Sequence, residues 1–600
     1  MNSSNHLIYP DYLSTANIHD ARHTGAGKTT HVCDKMNELI PLGESFIYIS
    51  SSYDTLDGVK SRLNNSQSLT FKGKTQEGMC PYWRDYLSIS EHIRPLYTCF
   101  KCNFQDNCPY RKQFDRLDEL KNSGSGFVIF TVKENLVTVL KRVPKTDPYI
   151  IIDDASLSDI TYPSLTISEE SLIEASKYLK QWVIYSKLDK PISLLLEGKF
   201  EEAKRFVRGN EEYKNELNTL KESVSLDLSD GKKIPNLKVF DSLLECNNIY
   251  EYERNNSRSF VIASSNLSKL RKYRIIYLNA TADSNDRHTM SKLGNFETIT
   301  KDIEVTQNYY LLQIMDGRYP KSGLESPHSR LPKEINRLLD RIRFASNYTG
   351  KPLVIMAHNS IHAAWCKRED MCLDQVEYEF VKYFGSDSKA TNKYRSFQIS
   401  IIIGTPILPG GYYIHPSRDC SIINDGGYPE SVSQEEIDSD SRGLIHQMIG
   451  RTFREDKNNP DCLKLIILFS NIELGNIGAT VEKYRLRDTK QNKTFYSRVK
   501  ELASQIYEEP IIAKACEGLD QGLSQSPIPM VSLNRFSENV NSACRGLLST
   551  NRISECLKKH YAIEERINPG NHRPAQYIIG KIGVKSEAVA SIKDVCSTIS

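Results

Sequence analysis

The chain has no apolar run approaching the ~18 residues that a membrane span requires. Its N-terminus (Asn2, Ser3, Ser4, Asn5, His6) is polar, without the apolar core of a secretory signal. These absences point to an intracellular protein, cytoplasmic or nuclear if the host is eukaryotic, with no membrane partner. Neither sign of charge is in excess. The chain has 78 basic and 75 acidic residues and a net charge of +3, which excludes a bulk polycation but leaves room for a local basic groove. There is no internal repeat and no long low-complexity segment, which excludes a solenoid. What is present is ordinary globular material, 39% hydrophobic and 26% charged over 600 residues, enough for about three to five domains. The 14 cysteines of an intracellular chain read as thiols or metal ligands rather than a disulfide framework.

Arg22-His23-Thr24-Gly25-Ala26-Gly27-Lys28-Thr29-Thr30 reads as a phosphate-binding loop. Gly25 and Gly27 let backbone N–H groups approach an oxyanion. Lys28 supplies a cation for the β- and γ-phosphates, and the Thr29 hydroxyl suits Mg²⁺. Thr29 opens a run with Val32, Met36 and Leu39 at helical spacing, so the loop sits at a helix N-terminus, where the dipole favours anions. Arg22 stands where the general pattern has its first glycine.

Apolar runs at 45–50, 126–131, 149–154 and 275–282 predict strands of a parallel sheet around this loop. Runs at 353–358, 399–404 and 462–468 predict a second α/β block. The 318–331 stretch reads as a linker or long loop. Between 160 and 258, Leu172, Ala175, Leu179 and Trp182 mark an amphipathic helix with Thr166 and Glu169 as its capping box, and 201–221 reads as a second helix. Near the C-terminus, 575–580 and 586–595 read as two helices about a glycine turn, serving packing more than recognition.

Asp153-Asp154-Ala155-Ser156 ends an isoleucine-rich strand. Asp153 suits the Mg²⁺ shell, and Asp154 the orientation or deprotonation of attacking water. Gln447, Arg451 and Arg454 fall on one face of a helix. Their charge suits a γ-phosphate in its transition state.

Together, Thr24–Thr29, Asp153–Ser156, Ala280-Thr281-Ala282 and the Q-x-x-G-R-x-x-R of 447–454 resemble motifs I, II, III and VI of superfamily 2 helicases, in order. Phe46–Ser52, Val354–Asn359 and Ser386–Tyr394 stand at the places of motifs Ia, IV and V. Cys80-x18-Cys99-x2-Cys102-x5-Cys108-Pro109 lies between motifs Ia and II, and the helical stretch between II and III. That is the domain order of the iron–sulfur helicases of the XPD and DinG type.

The resemblance implies two RecA-like P-loop α/β motor domains. The first is divided into 1–75, 125–160 and 259–317 by a cysteine-cluster insert (76–124) and a helical arch-like insert (161–258). The second is 318–480, followed by a mostly helical C-terminal region (481–600). It implies ATP, bound by Thr24, Gly25, Ala26, Gly27, Lys28, Thr29 and Thr30, and Mg²⁺ on Thr29 and Asp153. Four thiolates at Cys80, Cys99, Cys102 and Cys108 suit a 4Fe–4S cluster or, as the alternative, zinc. Either would staple a core-poor insert. The expected activity is ATP-dependent 5′-to-3′ translocation on single-stranded or forked DNA, with Lys393 and Arg395 on the backbone. Two alternatives stand beside it: a nucleic-acid clamp or switch that does not unwind, and an RNA helicase with structural zinc. Asp154 in place of the usual glutamate, Arg22, and the lack of an adenine-reading glutamine upstream (where Tyr9-Pro10 stands) are departures from the family pattern.

Overall fold

The computed structural model describes residues 16–22, 26–64, 67–95, 107–143, 147–254, 257–300, 305–319, 324, 331–367, 373, 378–382, 393–418, 420, 428–453, 462–524, 531–567 and 574–582. They divide into two compact units. One lies within 1–302 and 407–444, the other within 303–406 and 445–600.

The first unit is built on strands β1 (Asn17–Asp20), β2 (Phe46–Ser50), β3 (Ser68–Thr70), β4 (Val128–Val132) and β5 (Tyr149–Asp153). After an insert carrying β6 (Ser164–Ser168), β7 (Asn248–Arg254) and β8 (Ser257–Ala263), the sheet resumes with β9 (Ile275–Leu278) and β10 (Phe296–Ile299). Its order is β10-β1-β9-β5-β2-β4-β3, and every pairing is parallel. Both faces are covered. Ile47, Ile49, Ile150 and Ile152 pack to one side, and Phe46, Tyr48 and Ile151 to the other. A strand buried on both faces has no polar alternation, which is why these segments read as unbroken apolar runs.

One close approach fixes the entry to β4. A Cβ on Gly126 would stand 2.2 Å from the Glu44 carbonyl oxygen and 2.5 Å from that of Ile40. Both are backbone atoms and cannot step aside. Gly126→Ala is therefore expected to destabilise the first unit by about 2–3 kcal/mol, read as a lowered urea midpoint with unchanged slope.

The insert differs in part from its expectation. Helices Glu169–Leu179, Ser186–Leu196, Phe200–Val207, Glu211–Ser229 and Lys238–Glu245 are present, but an antiparallel sheet β6-β8-β7 backs them. The cap of the first helix is Ser168, whose hydroxyl accepts the Ser171 N–H, while Thr166 lies in β6. Leu172, Ala175 and Leu179 are buried as expected, but Trp182 lies beyond the helix and is 44% exposed. The 201–221 stretch is two helices, broken where Gly209 takes φ 77° and Asn210 caps the next turn. Ile89 and Ile93 of the cysteine insert join the same apolar cluster as these helices.

Residues 407–444, inside the 318–480 block of the sequence reading, group with the first unit. The Asn285 amide donates to the Tyr412 carbonyl, Arg418 donates to the Asn285 side chain, and Asp440 accepts the Ser284 N–H.

The second unit holds β11 (Tyr309–Ile314), β12 (Leu353–Ala357), β13 (Tyr378–Lys382), β14 (Ile399–Ile403), β15 (Lys464–Phe469) and β16 (Thr480–Tyr484), ordered β13-β12-β14-β15-β11-β16 and all parallel. β11 belongs to this sheet, so the change of domain precedes it rather than falling at 318–331. Two parallel-sheet α/β units are the RecA-like fold class expected.

The C-terminal region corrects the sequence reading. Helices Thr489–Leu523, Leu533–Ala543 and Thr550–His560 are followed by an antiparallel hairpin of β18 (Tyr561–Ile567) and β19 (Pro574–Lys581), with β17 (Val531–Ser532) on the other edge of β19. Residues 575–580 are thus strand, not the first helix of a helix-turn-helix, and 586–595 lie outside the described residues. Among the described residues no helix is long and apolar enough to cross a membrane.

Candidate nucleotide site

In a parallel sheet the carboxyl ends of the strands share one edge, where loops can converge on a ligand. β1 delivers the phosphate loop to that edge and β5 delivers the acidic pair. β9 runs between them, so the two strands are about 10 Å apart. The helix Lys28–Leu39 follows the loop, with Gly27 at its N-cap in the left-handed conformation, φ 74°. Nothing lies within 4 Å of a Cβ built there. Backbone conformation, not space, calls for glycine at this position.

Side chains close the gap between strands. The Thr29 hydroxyl donates to Asp153 Oδ2 at 2.8 Å, and the Tyr48 hydroxyl donates to the same oxygen at 2.5 Å. Burial pushes the Asp153 carboxyl up to about 6, and the Asp154 charge adds to this; the two hydroxyls and Lys28 hold it down. Burial also drives the Tyr48 phenol well up, reinforced by the Asp153 charge, so it remains a donor. Lys28 is pulled below the ordinary lysine range by burial, opposed by Asp20, Asp153 and Asp154. Its Nζ donates to the Arg22 carbonyl at 2.6 Å. Asp154 is exposed and left-handed, φ 54°, a strained state of about 1–3 kcal/mol for a residue with a Cβ. The structure thus brings Lys28, Thr29, Asp153 and Asp154 together. Ala26 and Gly27 lead into the helix, and the exposed Thr30 hydroxyl meets Arg62 at 3.2 Å. Thr24 and Gly25, and Tyr9-Pro10, lie outside the described residues.

Asn279-Ala280-Thr281-Ala282 leaves the end of β9, between the two loops. His19 Nε2 meets the Asn279 carbonyl at 2.9 Å. A buried network joins this turn to the acidic loop. Asp286 accepts the Ser158 N–H at 2.7 Å and the Ser156 hydroxyl at 3.1 Å, and the Tyr277 hydroxyl also donates to it. Asp283 caps the helix Ser284–Leu293 and takes the Tyr412 hydroxyl. Asp440 takes both the N–H and the hydroxyl of Ser284. Sequence reasoning passed over Tyr48, Asp20, Asp286 and Asp440. A polar residue on a buried strand or an acid inside a helix leaves no pattern, whereas Asp283-x-x-Asp286 is a cap signal that was there to be read.

Burial, and after it the Asp286 charge, pushes Asp283 up to about 8. A carboxyl raised on folding contributes stability fully below its unfolded pKa and loses it as pH rises through 8. Asparagine caps a helix equally well. Asp283→Asn is therefore expected to gain about 2 kcal/mol relative to wild type between pH 6 and pH 9, measured as paired urea midpoints.

Gln447 and Arg451 lie one turn apart on the helix Gln434–Thr452, both in the second unit, and Arg451 is buried. Arg454 lies outside the described residues. Lys393 and Arg395 fall in the short turn Lys393–Ser396, and their side chains lie outside the described residues, as do 386–392. In the insert, Cys80 and Cys108 are both buried. The Tyr110 N–H donates to the Met79 carbonyl at 3.0 Å, and Cys108 Sγ lies 3.8 Å from that oxygen. This brings the residue beside Cys80 against the second thiol. Cys99 and Cys102 lie outside the described residues, among which no group of three or more ligating side chains is found.

No family model matches the sequence, and no curated protein matches it. Solved structures do. In fold the chain is similar to an XPD helicase (TM-score 0.48, 16% identity, 78% of this chain and 96% of that one). It is also similar to S. cerevisiae Dbp5 bound to Gle1 and IP6 (TM-score 0.30, 9% identity, 81% and 88%), and to Mycobacterium smegmatis helicase Lhr bound to ssDNA and AMP-PNP (TM-score 0.26, 9% identity, 95% and 57%).

Proposed function

We propose that the chain is an ATP-dependent DNA helicase, translocating 5′-to-3′ on single strands. The observation that carries this is the Thr29–Asp153 hydrogen bond, which joins phosphate loop and acidic pair into one site beside Lys28. Lys28 and the loop N–H groups would take the β- and γ-phosphates, Thr29 and Asp153 would hold Mg²⁺, and Asp154 would orient water. Gln447, Arg451 and Arg454 are assigned to the γ-phosphate, and Lys393 and Arg395 to the nucleic-acid backbone. Residues 76–124 and 161–258 are read as the cluster and arch inserts.

Cys80, Cys99, Cys102 and Cys108 would hold a 4Fe–4S cluster, with zinc as the alternative. The pairing of Cys108 with the Met79 carbonyl supports a shared site. The group would supply a covalent staple to a small insert. Iron and zinc content of anaerobically purified protein tests it: about four irons per chain are expected, and one zinc with no iron overturns the cluster.

The left-handed Asp154, shorter than glutamate, favours a second reading, a clamp that hydrolyses slowly. ATP hydrolysis with single-stranded DNA or RNA separates the readings. Stimulation by DNA supports the proposal. Stimulation by RNA alone, or ATP-dependent binding without turnover, goes against it.

A further inference from the structure

Arg22 departs from the phosphate-loop pattern, and its surroundings give it a role. The loop's general form has glycine there, but Arg22 is not among the described residues with positive φ, so the backbone does not demand glycine. The side chain has a partner of its own. It turns back onto the end of β1, where the Asp20 carboxylate is fully buried. Arg22 Nε donates to Asp20 Oδ1 at 2.9 Å, and its terminal nitrogen to Oδ2 at 2.6 Å. The Arg22 backbone N–H joins them on Oδ1 at 3.2 Å. A two-point fork plus a main-chain bond fixes a turn more tightly than a single contact. The carbonyl at the end of that turn accepts from Lys28 Nζ.

We propose that Arg22 is a positioning residue for Lys28. By clamping on Asp20 it aims the carbonyl that accepts from the Lys28 ammonium, and so sets where that ammonium stands. The proposal rests on the nucleotide-site reading above. Its charge is matched by Asp20, so Arg22 acts through geometry rather than by adding net attraction for the nucleotide. Lysine cannot replace it, because an ammonium lacks the fork.

The test is the affinity of full-length protein for mant-ATP with Mg²⁺, together with the KM and kcat of hydrolysis. It uses wild type, Arg22→Lys and Arg22→Gly, each also in a Lys28→Ala background. In the Lys28 background both variants are expected to weaken mant-ATP binding ~10-fold and to raise KM more than they lower kcat. In the Lys28→Ala background they should change binding less than ~2-fold, because the group being positioned is gone. Equal weakening in both backgrounds would make Arg22 a structural residue only. No weakening in the Lys28 background would leave it without a role at the site. Either result overturns the inference. Wild type that binds no mant-ATP overturns the nucleotide reading itself, which is a separate outcome. Arg22→Lys keeps the buried charge pair, so it serves where Arg22→Gly does not fold.

Discussion

Lys28→Ala is expected to lower nucleic-acid-stimulated ATP hydrolysis by ~10³-fold or more while leaving the fold in place. Lys28 is the cation assigned to the phosphates, and it stands in the first turn of a helix, an N-terminus that favours anions. Three carboxylates, Asp20, Asp153 and Asp154, lie close enough to raise its pKa against burial. The site without nucleotide is therefore not a bare positive pocket. The ammonium balances acids that a Mg²⁺–nucleotide would otherwise meet as uncompensated charge. Removing it takes away the phosphate contact and leaves those acids facing the nucleotide. Steady-state hydrolysis with and without single-stranded DNA measures the loss, and an unchanged circular dichroism spectrum assigns it to the site.

Asp153→Asn should separate activity from stability. Hydrolysis is expected to fall ~10²–10³-fold, because an amide is a poor Mg²⁺ ligand where a carboxylate is required. Stability should rise. The carboxyl is raised from its ordinary value to about 6 by burial and by Asp154. A group raised on folding contributes stability below its unfolded pKa and loses it as pH climbs through 6. At pH 8 the folded chain therefore carries about 2–3 kcal/mol of unfavourable ionisation, which asparagine does not have. The Tyr48 and Thr29 hydroxyls both donate to Asp153 Oδ2, and an asparagine carbonyl accepts them equally. The variant should unfold at higher temperature than wild type at pH 8, and the gap should shrink steadily on acidification and close only near the unfolded carboxyl pKa of about 4. Because proton and Mg²⁺ compete for the Asp153 carboxylate, wild-type activity should fall at low pH, and added Mg²⁺ should move that fall to lower pH. A variant less stable at pH 8 would mean that Asp153 is held by contacts other than those described.

Much of the fold was legible because a parallel sheet covered on both faces turns its strands into plain apolar runs; β2, β4, β5, β9, β12, β14 and β15 all fell where such runs stood. The hairpin of β18 and β19 was not. Tyr561–Ile567 carries three charged residues and so lacks the apolar run by which the other strands were read. Helix breaks inside 201–221 were equally hidden, since Arg208-Gly209-Asn210 stops a helix by backbone conformation while the charge pattern runs on. At the site, Lys28, Thr29, Asp153 and Asp154 were readable because their chemistry is tied to residue type and spacing. Tyr48, Asp20 and Asp440 were not, because each is defined by its partner in three dimensions rather than by residue type and spacing. Arg22 changed most. As sequence it was a missing glycine; in three dimensions it is half of a buried ion pair whose carbonyl holds Lys28.

The central claim, that this site drives a motor on single strands, is tested most directly by strand displacement. Anaerobically prepared wild type and Lys28→Ala would be given duplexes with a 5′ or a 3′ single-stranded overhang, with and without ATP. The account predicts ATP-dependent displacement from the 5′ overhang by wild type and none by Lys28→Ala. Displacement from 3′ overhangs only would contradict the polarity, and displacement that persists in Lys28→Ala would contradict the site.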